Sequence, residues 1–94
     1  MTRNDLIDAL ALRRGLPRST AEELVAVVLD ELTEQLAEGA RVELRGFGTF
    51  QVRQYDGYTG RNPRTGDPID VPAKRLPHFK PGKRLREVID TELA

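Results

Sequence analysis

The sequence predicts an α+β fold in one small domain: two helices, then antiparallel strands, then a short final helix. Three observations carry the prediction. Apolar residues recur at helical spacing through residues 1–40. From Arg41 onward the period falls from 3.6 to 2, the alternation of a half-buried strand. Between the alternating segments, residues 55–74 hold three glycines and three prolines and few apolar residues beyond Ile69 and Val71. A stretch that cannot bury itself is a linker or a projecting functional arm.

The elements follow in order. Thr2 and Asp5 read as a capping box that opens the first helix, in which Leu6, Ile7 and Leu10 share a face and Gly15 supplies the stop. Pro17 keeps the connection out of helix. Ser19 and Glu22 read as a second capping box. Behind it Leu24, Val25, Val28, Leu29, Leu32 and Leu36 form an apolar stripe that ends at Gly39. The stripe is too wide for one helical neighbour and predicts a partner subunit. Val42 and Leu44 alternate with Arg41, Glu43 and Arg45. Gly46-Phe47-Gly48 is a tight connection, and Thr49 to Arg53 alternates again as the second strand of a hairpin. Alternation resumes at Ile69, Val71 and Ala73 and runs to Phe79, with Pro77 expected at an irregular point. Pro81-Gly82 should open the last helix, with Pro81 in its first turn and Leu85, Val88 and Ile89 on one face.

Size and charge bound what such a fold can do. At 94 residues with no cysteine, a monomer buries only about 60–65% of its unfolded surface and has neither a disulfide nor a cysteine-zinc site to help. A dimer sharing one core is the expected remedy. No apolar run approaches the roughly 20 residues of a membrane span. The first residues lack the apolar stretch of a secretory signal, so a soluble intracellular protein is expected. Fifteen basic and fifteen acidic side chains cancel to a net charge of zero, which taken alone argues against nucleic acid. The cancellation is between regions, however. Residues 1–40 carry four basic and eight acidic side chains, residues 41–86 eleven and four, and the tail three acidic ones. Fields act over a Debye length of about 8–10 Å, so the middle of the chain, at +7, can attract a polyanion.

The usual catalytic constellations are missing. His78 is the single histidine, there is no cysteine, and the G-x-G at Gly46 lacks the third glycine of a dinucleotide loop. No catalytic residue, metal ligand or cofactor is assigned, and no small-molecule substrate or membrane is expected. The informative segment is Tyr58-Thr59-Gly60-Arg61-Asn62-Pro63-Arg64-Thr65-Gly66-Asp67. Gly60 and Gly66 permit tight turns around Pro63. The tip offers two guanidinium groups, one amide and one rigid apolar wedge. Such parts suit the minor groove of DNA, where Arg and Asn meet acceptors and an apolar side chain parts a base step. A loop with incidental arginines remains the alternative on composition alone.

Three strings, Arg45 to Phe50, Thr59 to Gly66 and Pro77 to Lys83, together resemble the HU/integration host factor family of bacterial DNA-bending proteins. Order and spacing match across essentially the whole chain. Arg45 before Gly46, and the segment from Pro77 to Lys83, resemble the beta-subunit type of integration host factor more than HU. The resemblance implies an intertwined dimer in one domain, 1–94. Residues 1–40 would be the helical dimerisation body, 41–54 and 69–80 the strands of a three-stranded saddle, 55–74 the DNA-embracing β-ribbon arm, and 81–94 the C-terminal helix. Ten residues per arm strand would reach roughly 33 Å. By resemblance Pro63 intercalates, while Arg61, Asn62 and Arg64 line the minor groove. Glu43 and Arg45 help sequence preference. Lys80, Lys83, Arg84 and Arg86 would meet phosphates on the flank, with Arg53, Lys74 and Arg75 on the saddle and Thr2 and Arg3 at the first helix.

The implied function is that of an architectural protein of the bacterial nucleoid. It would bend double-stranded DNA and assist transcription, recombination and replication in the cytoplasm. It would act as a homodimer or as a heterodimer with a related subunit. Two alternatives stay open: an HU-like homodimer with little sequence preference, and a non-DNA module that docks another protein on its acidic helices. The chain departs from the family at Gln54-Tyr55-Asp56-Gly57-Tyr58, where relatives usually place arginines, in a shorter first helix connection, and in an unusually acidic helical body.

Overall fold

The structure, a computed structural model, describes residues 1–91. The capping box at the start of the chain forms: the Asp5 N–H donates to Thr2 Oγ1 at 3.2 Å and the Thr2 N–H to Asp5 Oδ2 at 2.8 Å. It opens α1 (Arg3–Arg14), which Gly15 closes. The expected second box does not form. Pro17 is the N-cap of α2 (Arg18–Ala37), and no side chain caps it. Extended at ψ 144°, Pro17 directs its carbonyl to the Ala21 N–H at 3.1 Å, so Ser19 already lies inside the helix. Arg18 secures the short connection instead, donating to Asp8 at 3.0 Å and Asn4 at 3.2 Å. At the other end Ala40 N–H bonds Gln35 O and Gly39 N–H bonds Leu36 O. This is a Schellman stop, and Gly39 at φ 83° takes its left-handed position.

Three antiparallel strands form the saddle in the order β1-β2-β5: β1 (Val42–Leu44), β2 (Gly48–Tyr55) and β5 (Lys74–Pro81). Between β2 and β5 the chain runs out as a separate ribbon of β3 (Tyr58–Arg61) and β4 (Pro68–Val71). Residues 69–71, which fall in both the expected saddle strand and the expected arm, lie in the ribbon, because β4 pairs with β3 alone. Ladder pairing stops on both strands at one level, at Asp56-Gly57 and at Pro72-Ala73. Pro77 causes no irregularity; it pairs in register with Val52 on an edge strand, where its missing N–H is tolerated. Pro81 ends β5 rather than entering a helix. Gly82 caps α3 (Lys83–Thr91) by accepting from the Arg86 N–H at 3.0 Å. Residues 92–94 of the expected helix lie outside the described residues.

The register sorts side chains onto two faces. Val42, Phe50, Val52, Pro77 and Phe79 share one, joined by Leu44. Here the rings of Phe50 and Phe79 approach to 4.6 Å and those of Phe47 and Phe79 to 5.3 Å. Gly48 is required beneath them, since a Cβ there would come within 2.6 Å of the Phe79 ring and of Lys80 O.

Within one chain this architecture has little core. Among the described residues only Ile7, Ala21 and Val25 are buried apolar side chains. The radius of gyration is 19.4 Å, against about 12 Å for a compact domain of this length. Much of the α2 stripe is uncovered: Leu24 is 46% and Val28 64% exposed. One apolar groove runs between the helices along Leu6, Leu10, Leu24, Val28 and Leu29. A second joins Val27, Val28 and Leu32 to Val42 and Leu44. The uncovered stripe and the extended shape are those of a subunit that completes its core in a dimer.

Candidate nucleic-acid interface

The face of the saddle opposite the phenylalanines is polar and basic apart from Leu76, which pairs with Arg53. Glu43 pairs with Thr49, Thr49 with Lys80, and Tyr55 with Lys74, and Arg53 stands between them in the same alternation. Arg41 and Arg45 continue the alternation of β1 at either end, Arg41 lying 3.9 Å from Glu43. Lys74 Nζ sits 6.0 Å from the Tyr55 ring centroid, at the edge of cation–π range. Gln51 and His78 also lie on this face, directly paired. Sequence reasoning left both out, since a lone histidine and a glutamine carry no signal until strand parity is known.

Arg75 does not join the group. Its pairing with Gln54 puts it on the phenylalanine face. There its guanidinium donates to Ala37 O at 3.4 Å, satisfying a carbonyl at the negative end of α2. Strand parity separates Arg75 from Lys74, with which the sequence grouped it, because the two are one residue out of phase. Thr2 and Arg3 also stand apart from the basic face, since α1 packs chiefly on α2 and Thr2 is engaged in its own cap. Lys83, Arg84 and Arg86 follow the saddle on the exposed first turns of α3, where Lys83 lies 3.8 Å from Glu87.

The arm ends in a turn that holds itself. Asn62 N–H bonds Asp67 O at 2.8 Å and Gly66 N–H bonds Asn62 O at 2.7 Å. Asn62 Oδ1 accepts from the Arg64 N–H at 2.8 Å, and Thr65 Oγ1 from the Asp67 N–H at 3.3 Å. Arg61 reaches back to Gly66 O at 3.4 Å. Pro63 stands exposed within this turn, between Asn62 and Arg64. A polar side chain at each shoulder and a rigid ring between them reproduce the tip chemistry read from the sequence. Among the described residues no group of three or more acidic or histidine side chains is placed to hold a metal. Among the described residues no helix is long and apolar enough to cross a membrane.

A family profile described as bacterial DNA-binding protein matches residues 1–90. The chain belongs to this family. It is 45% identical over 91 residues to the integration host factor beta subunit of Idiomarina loihiensis, covering 97% of this chain and 98% of that one. The beta subunit of Escherichia coli integration host factor is 44% identical over 88 residues, covering 93% and 94%. Among solved structures, HU of Anabaena in a cocrystal with DNA superposes with a TM-score of 0.83 at 34% identity, over 95% of this chain and 97% of that one. HU of Thermotoga maritima follows at 0.68 and 29%, over 95% and 98%. The HU/integration host factor resemblance read from the three sequence strings therefore holds along nearly the whole chain, in sequence and in fold.

Proposed function

We propose that the protein is an architectural DNA-binding protein that acts as a dimer, seats a duplex on its basic saddle and bends it with two arms. The observation that carries the reading is the arm tip. Pro63 is exposed in a turn closed by its own hydrogen bonds, with Arg61, Asn62 and Arg64 beside it. A wedge held in this way needs no ordering on binding, so little of the contact energy is spent on fixing it. Insertion at a base step kinks the duplex, and the bend brings its flanks toward Lys80, Lys83, Arg84 and Arg86. Bending of this kind costs on the order of 1–10 kcal/mol, offset by the added backbone contacts. Glu43 and Arg45 stand at the saddle edge to read the bases between.

The dimer partner is a second copy or a related subunit, and the place of work is the nucleoid. Catalysis forms no part of the reading, which rests on the DNA-binding family and on the missing nucleophile and metal constellations. The test is fluorescence transfer across a duplex labelled at both ends. The wild-type dimer shortens the end-to-end distance. Pro63→Ala binds but shortens it less, and unchanged bending by that variant overturns the wedge assignment.

A further inference from the structure

The arm differs from the saddle in charge. The saddle face and residues 83–87 of α3 carry eight cations against two carboxylates, Glu43 and Glu87, with Arg75 on the opposite face. The ribbon beyond the ladder break carries Arg61 and Arg64 against Asp67 and Asp70, a net charge of zero, with Asp56 at the break itself. The ribbon's two faces also differ. Thr59 and Arg61 pair with Asp70 and Pro68 on one, where Thr59 Oγ1 donates to Asp70 at 3.2 Å. Tyr58 and Gly60 pair with Val71 and Ile69 on the other. The Tyr58 ring lies over Gly60, at 3.5 Å from where a Cβ would stand. This second face is apolar and uncovered, with Tyr58 64% and Ile69 42% exposed.

We propose that the protein separates two tasks: the saddle and α3 supply the ionic affinity for the duplex, and the arm grips the minor groove through the apolar face of Tyr58, Ile69 and Val71. The inference rests on the DNA-bending reading above. The ribbon's two arginines can neutralise at most two phosphates per arm, against up to eight cations on the saddle and α3, so the ribbon adds the smaller share of salt-dependent affinity. The walls of the minor groove are deoxyribose rings, whose C–H surfaces suit an apolar partner. Burial of apolar surface is non-directional and far less sensitive to salt than ion pairing. The ribbon strands run directly into the Pro63 turn, so a duplex that receives the wedge lies beside the ribbon.

The experiment measures affinity of the full-length dimer for a labelled duplex by fluorescence anisotropy over a range of KCl concentrations, with end-to-end transfer as the readout of bending. Lys80→Gln/Lys83→Gln removes four cations per dimer and lowers the slope of log affinity against log salt by about 3–4. Tyr58→Ser/Ile69→Ser weakens binding by about tenfold or more at every salt concentration and leaves the slope unchanged. Tyr58→Gln alone keeps the strand and removes the ring; it gives the same parallel displacement at smaller size, which guards against loss of the ribbon. Each variant is checked for dimer mass and helical circular dichroism. An arm variant that lowers the slope as the lysine pair does, or leaves affinity unchanged throughout, overturns the proposal. A wild-type protein that neither binds nor bends the duplex overturns the underlying reading instead.

Discussion

Pro63, Ile7 and Arg75 illustrate how much one residue's setting decides. Pro63 is exposed at the arm tip, far in sequence from the buried core, so Pro63→Ala should leave the urea midpoint unchanged while bending falls. A changed midpoint would show that the tip contributes to folding. Ile7 is the opposite case. It is 2% exposed and packs with Ala21 and Val25. Ile7→Ala should destabilise the protein by about 2–5 kcal/mol, read from urea unfolding followed by circular dichroism. Arg75 shows the limit of a one-dimensional reading: its charge was legible, but its face was set by pairing with Gln54. By the same parity His78 and Gln51 enter the polar face, although the sequence assigned neither a role there.

The elements divide into those specified locally and those specified by their neighbours. The start of α1 is local: Thr2 and Asp5 satisfy each other's donors within four residues. Thr2→Ala should cost about 1 kcal/mol of stability in thermal or urea unfolding. The start of α2 is not local. Ser19 and Glu22 carry a capping pattern, yet Pro17 and the contacts of Arg18 with Asp8 and Asn4 set the boundary earlier. The turn into β2 depends on both levels, since Gly48 lies under the Phe79 ring from a strand some thirty residues away. Gly48→Ala should destabilise the saddle by about 1–3 kcal/mol, because ring and backbone must both shift. A denaturation midpoint equal to wild type would show that the ring moves freely. The arm strands were legible as a segment poor in apolar residues. The sequence put Ile69 and Val71 in both arm and saddle; the ladder assigns them to the ribbon, because alternation has the same period in both.

At the scale of the molecule, shape and burial require a second subunit. A radius of gyration of 19.4 Å and a core of three buried apolar side chains among the described residues leave the α2 stripe and two grooves to be filled. Sedimentation should give twice the 10.6 kDa chain mass for the purified chain if it pairs with itself. Its unfolding midpoint should then rise with protein concentration, as it does when folding and association are one process. Val28→Asp, in the uncovered stripe, should abolish that dimer. A folded monomer at working concentration would contradict the shared core. The zero net charge also acquires a meaning at this scale: the acidic helical body, at −4, and the three acidic residues of the tail offset the +7 of residues 41–86, and the saddle face stays basic.

The sequence by itself determined the helix–strand–helix order, the two-residue and 3.6-residue periods, the Pro63 turn, the family, and the segregation of charge. These are local or compositional, encoded in neighbours a few positions apart, so they survive without a fold. The tertiary structure alone decided which cations share a face, where saddle gives way to arm, and which apolar residues remain uncovered. Those depend on strand register and on packing between segments distant in the chain. A shift of one residue in register would exchange every inward and outward side chain of a strand, and no local pattern at Lys74-Arg75 distinguishes the two.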